Sequence, residues 1–286
     1  MSNAYDVSRV SALCRNAGKI ALNYYDNPPL ELKADQTVVT LADKEIEQML
    51  CAEFDRPSED CYIIGEETLA SRSEEYLQKA LKAEHCYVID PIDGTAPYSS
   101  QVPLWGISIG YMSRGVILDG AICYPALNRL LITDCDKVWV FTGEIEGKME
   151  KKIMEFVEPP LSPLRPVAIA QRYARHGVLT FPNPIFSWCG CVAVFDYLFQ
   201  GKLLGFLASA KLWDVAAAFA IMSRCKSYVA QFSSGATLSC NLQNGSFELA
   251  VDSPRRWALR EPLAIGANSR IVDYLFKHSR LGQPEL

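Results

Sequence analysis

The spacing of apolar residues predicts two helices at the start of the chain. Between residues 6 and 25, apolar side chains recur at intervals of three and four, as on one face of an amphipathic helix, and two prolines follow. A second helix is expected over residues 42–54. Thr40 stands at its N-cap position and Asp43 lies three residues later, which is the arrangement of a capping box. Helix capping is therefore a sufficient structural explanation for Asp43, without any role in chemistry.

Short apolar runs bounded by turn residues then predict a mostly antiparallel sheet with helices on a face. One strand ends at Glu66 and another at Asp90, and a polar helix over residues 72–83 lies between them. The strands expected after these are residues 104–112, 116–123, 129–133 and 138–141.

A proline-rich segment at residues 159–163 separates this pattern from one of alternating short strands and helices. We therefore expect an N-terminal α+β domain over residues 1–160 and a C-terminal α/β domain over residues 161–286. The C-terminal strands are expected at residues 166–170, 203–207, 227–231 and 247–251, and the helices at residues 192–199, 215–223 and 269–278.

The composition describes a globular chain with no broad electrostatic reason to bind polyanions. Of 286 residues, 49% are hydrophobic and 21% are charged, and the mean hydropathy is +0.03, which suits a sizeable core. A net charge of -5 and an isoelectric point near 5.4 argue against nucleic acid and anionic membranes as partners. No apolar run approaches the roughly 18 residues that a membrane-spanning helix needs.

The first residues and the cysteines indicate a cytoplasmic protein. Residues 1–6 lack the basic segment and apolar core of a signal peptide. The ten cysteines lie mostly in apolar segments without a CxxC pair, as buried thiols do in a reducing compartment. With only three histidines, a zinc site is not expected.

The clearest candidate for chemistry is the stretch of residues 88–95, VIDPIDGT. It places Asp90 and Asp93 at the end of an apolar strand, and Gly94 permits a tight turn directly after them. Carboxylates alone suit a hard cation such as Mg²⁺, with Mn²⁺ or Ca²⁺ as competitors. Taken singly, Asp93 and Gly94 could equally be an ordinary turn pair.

Two further stretches supply acids that such a metal site would need. Residues 61–68, CYIIGEET, end an apolar strand in Glu66 and Glu67, and residues 212–217, LWDVAA, place Asp214 at the head of an apolar helix. Each has an ordinary interpretation when it stands alone. The paired glutamates could be exposed turn acids, and Asp214 could be a helix cap.

Together, the GEE, DPIDGT and WDxAA elements, with the upstream Thr40 and Asp43, resemble the inositol monophosphatase superfamily in order and spacing, over roughly residues 5–275. The resemblance implies an α/β fold, a layered αβαβα sandwich also found in fructose-1,6-bisphosphatase. It also implies a homodimer.

The resemblance further implies a site for two or three Mg²⁺ ions. The first ion would be held by Glu66, Asp90 and the main-chain carbonyl of Ile92, and the second by Asp90, Asp93 and Asp214. Mn²⁺ or Ca²⁺ could substitute in that site.

The implied catalytic residues are Glu66 and Thr95, which would orient the attacking water, and Asp43, which would lie beside the metal cluster. The residues implied in binding the substrate are Asp93, Gly94, Thr95, Ala96 and Asp214, although the side chain of an alanine cannot itself bind phosphate.

The implied activity is Mg²⁺-dependent hydrolysis of a small phosphorylated metabolite, nominally inositol monophosphate, by in-line attack of metal-activated water, with sensitivity to lithium. Two departures bear on the substrate. Ala96 and Pro97 follow DGT where many members carry polar residues, and residues 207–211 offer no counterpart of the acid that grips inositol. The alternatives are therefore a phosphatase for histidinol phosphate, a nucleotide (3′-phosphoadenosine 5′-phosphate or NADP) or a sugar phosphate, or a catalytically weak member that binds a metabolite or protein.

Overall fold

A computed structural model describes residues 5–32, 38–145 and 147–281 of the protein. Within these ranges the α-helices are α1 Val7–Tyr25, α2 Leu41–Phe54, α3 Glu74–Ala80, α4 Thr95–Ser99, α5 Gln171–His176, α6 Cys191–Phe199, α7 Leu212–Met222 and α8 Ser269–Lys277. The strands are β1 Leu30–Leu32, β2 Val38–Thr40, β3 Cys61–Gly65, β4 His85–Asp93, β5 Gly106–Ser113, β6 Val116–Tyr124, β7 Arg129–Asp134, β8 Lys137–Gly143, β9 Met149–Ile153, β10 Val167–Ile169, β11 Gly177–Leu179, β12 Ile185–Phe186, β13 Gly205–Ala208, β14 Val229–Phe232, β15 Leu263–Gly266 and β16 Ser279–Leu281.

The larger sheet has seven strands in the order β3-β4-β5-β6-β7-β8-β9. Only its first pair, β3 and β4, is parallel, because α3 crosses over between them, and the other pairs are antiparallel. The predicted mostly antiparallel sheet is therefore confirmed. Its edge strand β9 was not predicted.

Both faces of this sheet are buried. Ile63 and Ile89 point into a core with α1 and α2, whereas their neighbours Ile64 and Val88 point into a second core that contains α6 and α7. Successive side chains of a strand face opposite sides, so a strand covered on both sides reads as a continuous apolar run.

A second sheet completes the layers. It has five strands in the order β12-β10-β13-β15-β14, with α6 against β13 and α8 packed on β15. The sequence of layers is helix pair, sheet, helix pair, sheet and helix, which confirms the predicted αβαβα sandwich.

Helix α7 lies unusually close to the larger sheet because small residues meet there. A Cβ atom added at Gly110 would stand 2.8 Å from the Cβ of Ala216, and one added at Gly120 would stand 2.6 Å from the Cα of Ala217. The Ser108 hydroxyl also donates a hydrogen bond to the Trp213 carbonyl, at 3.1 Å. These contacts fix the start of α7 against β5.

Two expectations for the second half differ from the structure or stay open. Residues 247–251 form no strand; Phe247 makes one bridge with Leu259, and the Trp257 amide donates to the Glu248 carbonyl at 2.6 Å, so the segment pairs locally instead. The strands of the seven-stranded sheet precede residues 154–166 in the chain, and those of the five-stranded sheet follow them. Helix α7 nevertheless comes from the later part of the chain and packs on the seven-stranded sheet. The domain division at residue 160 stays a prediction.

No helix in the described ranges combines the length and the apolarity needed to cross a membrane.

A buried ion pair joins the larger sheet to α6. The Arg129 guanidinium donates to Asp196 at 2.8 Å, and the Asp196 side chain is only 2% exposed. Burial raises the pKa of Asp196, and Arg129 opposes that rise. Replacing Arg129 with Met should lower the free energy of unfolding by about 3 kcal/mol, because one charge then stays buried without its partner.

Urea denaturation checks this prediction. Adding Asp196→Asn to Arg129→Met should recover part of the loss, since the stranded charge is removed. Arg175→Met, at an exposed position in α5, is the control and should change stability little. An Arg129→Met protein as stable as the control would contradict the expected role of the pair.

Candidate active site

An irregularity in β4 places its two aspartates on one side of the sheet. Asp90 and Asp93 are three residues apart, so in a regular strand their side chains would face opposite ways. Asp90 pairs with Ser108 but Asp93 pairs with Gly106, two residues along β5, and the extra residue of β4 forms a bulge. Both carboxylates therefore face the same side, and both are buried.

The turn after β4 is held by its own side chains. The Ile92 amide donates to Asp90 Oδ1 at 3.1 Å, and the Thr95 hydroxyl donates to the Ile92 carbonyl at 3.2 Å. Gly94 has a φ of +91°, which a residue with a side chain adopts only with strain, and α4 begins directly after it. Pro97 lies in the first turn of α4, where a missing amide donor costs little.

The loop that carries Glu66 is held in place by a residue of helix α2. Glu47 of α2 is buried, and its carboxylate accepts hydrogen bonds from the amides of Glu67 at 2.9 Å and Thr68 at 2.7 Å. A Cβ atom at Gly65 would collide with that carboxylate, so the position accepts only glycine without movement. Glu47 thus fixes the chain on both sides of Glu66.

Asp214 stands in the first turn of α7. Its Oδ2 accepts the amide proton of Lys211 at 2.8 Å, which is the capping contact that its position in the sequence allows. The capping bond leaves the other carboxylate oxygen for a second role.

Carboxylate oxygens of Glu66, Asp90 and Asp214 all lie within 4.8 Å of one another. Burial raises the pKa of Asp90 well above its ordinary value, and the charges of Glu66, Asp93, Asp214 and Asp43 raise it further. Burial, followed by the charge of Glu66, raises the pKa of Asp214 to about 7. The carboxylates of this cluster repel one another when they are ionised, and a bound cation would offset that repulsion.

Asp93 faces a different partner. Its carboxylate accepts the amide proton of Val192 in the first turn of α6, and the pKa of Asp93 is raised by burial and then by the charge of Asp214. Gly190, which precedes α6, packs so closely that an added Cβ atom would stand 3.0 Å from the Cα of Gly94. Asp93 therefore connects the end of β4 to α6, in the second half of the chain.

Asp43 is buried in the first turn of α2. Its Oδ2 accepts from the Thr40 amide at 2.8 Å and from the Thr40 hydroxyl at 2.6 Å, so the predicted capping box is confirmed. Its charge also contributes to the raised pKa of Asp90. A cap and a place beside the acidic cluster are thus compatible.

The predicted site residues, Asp43 apart, line one cavity of about 480 Å³. They are Glu66, Asp90, Ile92, Asp93, Gly94, Thr95, Ala96 and Asp214. Other residues of the lining also come from the second half of the chain, and we call them the second-half lining: Ile169, Ala170, Gln171, Cys189, Phe206, Ser209, Ala210, Lys211 and Ala258.

The donor set fits a hard divalent cation. The converging ligands are carboxylate oxygens, and no thiol or imidazole belongs to the cluster among the described residues. Oxygen-only sites of this kind suit Mg²⁺. The mutual repulsion of the acids is the observation that calls for positive charge at this point.

Sequence reasoning missed two residues that shape the site. Glu47 had one available signal, since it shares a helical face with Ile46 and Leu50 although it is charged. The amide of Val192 had none, because a backbone donor leaves no mark in a sequence.

Fold and site together define an αβαβα protein with an acidic cation site at strand ends. Residues 5–229 match the Inositol monophosphatase family. This match covers most of the chain, which therefore belongs to the inositol monophosphatase family, and the expected family assignment is confirmed.

Individual relatives agree. A histidinol-phosphatase of Chlorobaculum parvum is 32% identical over 127 residues, which are 44% of this chain and 46% of that protein. Staphylococcal inositol monophosphatase-1, solved as an inhibitory complex after soaking in LiCl, superposes with a TM-score of 0.67 at 16% identity over 94% of this chain and 92% of its own.

A third comparison is an IMPase/NADP phosphatase solved with Mg²⁺ and phosphate, with a TM-score of 0.62 at 16% identity over 94% of this chain and 93% of its own. At such identities the superpositions show the fold. The chain spans about half of the length of the curated relatives it matches. Family members are phosphatases with differing substrates.

Glu47 should stabilise the loop that carries Glu66. Replacing Glu47 with Gln should lower the free energy of unfolding by about 1–3 kcal/mol, because the amide group cannot accept both backbone hydrogen bonds. It should also weaken Mg²⁺ binding in a calorimetric titration. The matched control is Glu155→Gln at an exposed position after β9, which should change neither quantity. Equal behaviour of the two variants would argue against the anchoring role.

The metal-free protein should lose stability as the pH rises from about 4 to about 7. Raised pKa values mean that folding favours the protonated carboxyls, so their contribution is fully present below the ordinary pKa of Asp, roughly 3.9, and is lost as Asp214 ionises near 7. The measurement is the urea midpoint at several pH values in a chelator. Asp214→Asn should flatten the decline, and saturating Mg²⁺ should reverse it; an unchanged slope in that variant would contradict the assignment.

Proposed function

We propose that the protein is a Mg²⁺-dependent phosphomonoesterase that hydrolyses a small phosphorylated metabolite, nominally inositol monophosphate. The observation that supports this proposal most is the convergence of Glu66, Asp90 and Asp214 within 4.8 Å in one cavity. Burial and the neighbouring charges raise the pKa values of Asp90 and Asp214, a cluster with oxygen donors only suits divalent cations, and members of the family are phosphatases.

In this proposal the site binds two or three ions, and each ion has its own set of ligands. Glu66, Asp90 and the Ile92 carbonyl would hold one ion, and Asp90, Asp93 and Asp214 would hold a second; Mn²⁺ or Ca²⁺ could take the same places. Bound Mg²⁺ would supply positive charge for the phosphate oxygens and lower the pKa of water, which is the chemistry that in-line hydrolysis needs.

The remaining residues orient the reactants. Thr95 donates to the Ile92 carbonyl, so its hydroxyl oxygen is directed to accept a proton from the attacking water, which Glu66 also positions. Asp43 assists as a second orienting carboxylate. Asp93 and Asp214 face the leaving group, and the backbone of Gly94, Thr95 and Ala96 holds the phosphate.

Histidinol phosphate, 3′-phosphoadenosine 5′-phosphate, NADP and sugar phosphates are the alternative substrates. The second-half lining supports keeping them, because its described residues include Ile169 and Phe206 but no carboxylate to grip a polyol. We also propose a cytoplasmic homodimer. The free thiols of the cysteines suit a reducing compartment.

The test is phosphate release from this panel of substrates, with and without Mg²⁺. Replacing Asp90 with Asn should reduce turnover by at least about 100-fold, because it removes a charged ligand shared by both ions. Mg²⁺ titration calorimetry should show a matching loss of affinity. Asp136→Asn, on the exposed turn before β8, is the control. Full activity without Mg²⁺, or in the Asp90→Asn protein, would overturn the proposal.

A further inference from the structure

The segment before α6 lies against the turn that follows β4. A Cβ atom added at Gly190 would stand 3.0 Å from the Cα of Gly94 and 3.3 Å from its amide nitrogen. Two residues after Gly190, the amide of Val192 donates to Asp93. Cys189 directly precedes Gly190 and lines the same cavity as Gly94. Cys189 therefore lies beside the turn whose backbone is proposed to hold the phosphate group.

The side chain of Gln171 reaches this segment from the second sheet. Gln171 is the first residue of α5, which follows β10, and it lines the cavity. Its Nε2 donates to Cys189 Sγ. The backbone before it is fixed, because the Ala170 amide donates to the Leu207 carbonyl at 2.9 Å and the Ala170 carbonyl accepts from Tyr173 at 2.9 Å. Contacts therefore place the carboxamide of Gln171 near the turn after β4.

The turn itself offers few side-chain donors to a phosphate group. The Thr95 hydroxyl donates to the Ile92 carbonyl at 3.2 Å, so its proton is already engaged. The side chain of Ala96 is apolar, and Pro97 has no amide proton. A phosphate monoester carries several strong acceptor oxygens. A donor from a neighbouring segment would therefore strengthen its binding.

The present acceptor of the Gln171 carboxamide is a poor one. A thiol sulfur accepts hydrogen bonds weakly, whereas a charged phosphate oxygen accepts them strongly. The side chain of Gln171 is exposed, so it can turn from one acceptor to the other without leaving the core. A carboxamide also carries no net charge, and it donates to an anion without repelling the cations that Asp90 and Asp214 attract.

We propose that the Gln171 carboxamide exchanges the Cys189 sulfur for a terminal oxygen of the reacting phosphate group. Gln171 is then a substrate-binding residue that the second half of the chain contributes to the phosphate site. The inference rests on the proposed phosphatase function. Because the phosphate group is common to all the candidate substrates, the contribution of Gln171 does not depend on the leaving group.

Inorganic phosphate tests this contact without turnover. In a calorimetric titration of the Mg²⁺-saturated protein, Gln171→Met should raise the Kd for inorganic phosphate about 10-fold, because a hydrogen bond to a charged group is lost. Gln171→Glu should bind phosphate at least as weakly, since its carboxylate cannot donate and repels the anion. Titration with Mg²⁺ alone should give the wild-type affinity for Gln171→Met.

Two further variants separate a direct contact from a structural role. Cys189→Ala removes the present acceptor of the carboxamide but leaves the donor, so the affinity for phosphate should not fall. Gln243→Met, at an exposed position outside the cavity lining, is the matched control and should bind phosphate as the wild-type protein does. A loss in Cys189→Ala equal to that in Gln171→Met would mean that their mutual contact only holds the segment, and would overturn the inference.

Steady-state kinetics then show which part of the substrate Gln171 contacts. Gln171→Met should raise KM by the same factor for every ester that the wild-type protein hydrolyses. An unchanged Kd for phosphate, or a KM that rises for some leaving groups only, would contradict the phosphate contact while the phosphatase assignment stands. A wild-type protein that hydrolyses no ester with Mg²⁺ would instead overturn the proposed function.

Discussion

The repulsion among buried carboxylates is the constraint on which the rest of the site depends. Oxygens of Glu66, Asp90 and Asp214 lie within 4.8 Å of one another, and Asp93 adds its charge nearby. Such a group would separate if its members were on flexible loops. Each instead sits where the backbone is already determined: a bulged strand, a helix start, and a loop held by Glu47. Packing energy gained elsewhere in the fold sustains a cluster that disfavours folding without cations.

The need to hold these carboxylates on a fixed backbone explains why several packing contacts between the layers position Asp214. The glycines at 110 and 120 let α7 approach β5 and β6 closely, and Ser108 ties the carbonyl of Trp213 to the same sheet. The start of α7 cannot move away from β4 without opening this contact. Asp214 is thereby held opposite Asp90 by a packed helix, and a rigid element positions a ligand more accurately than a loop would.

Much of this was predictable from local patterns. The helix periodicity gave α1 and α2 within one residue at each end, and the capping box at Thr40 followed from two side chains three residues apart. The bulge could not be foreseen, because it is defined by the register of β4 against β5. The same holds for the local pairing of Phe247, where an apolar run resembled a strand but had no free sheet edge to join. Contacts between distant segments decide such cases, and the pattern within one segment does not contain them.

The lining of the cavity comes from different parts of the chain, and this has a consequence for substrate specificity. Glu66 and Asp90 come from β3, β4 and their turns, whereas Ile169, Gln171 and Phe206 come from the second sheet and the loops at its edge. Side chains such as Ile169 and Phe206 can change without removing the hydrogen bonds that hold the carboxylates of Asp90 and Asp214. Asp93 and Asp214 do depend on the second half of the chain, because the Val192 amide of α6 bonds Asp93 and the Lys211 amide bonds Asp214, so a displacement of either donor would be felt at the acidic cluster. A fold arranged in this way can retain one hydrolytic centre while the substrate varies, as the differing substrates named for its relatives illustrate.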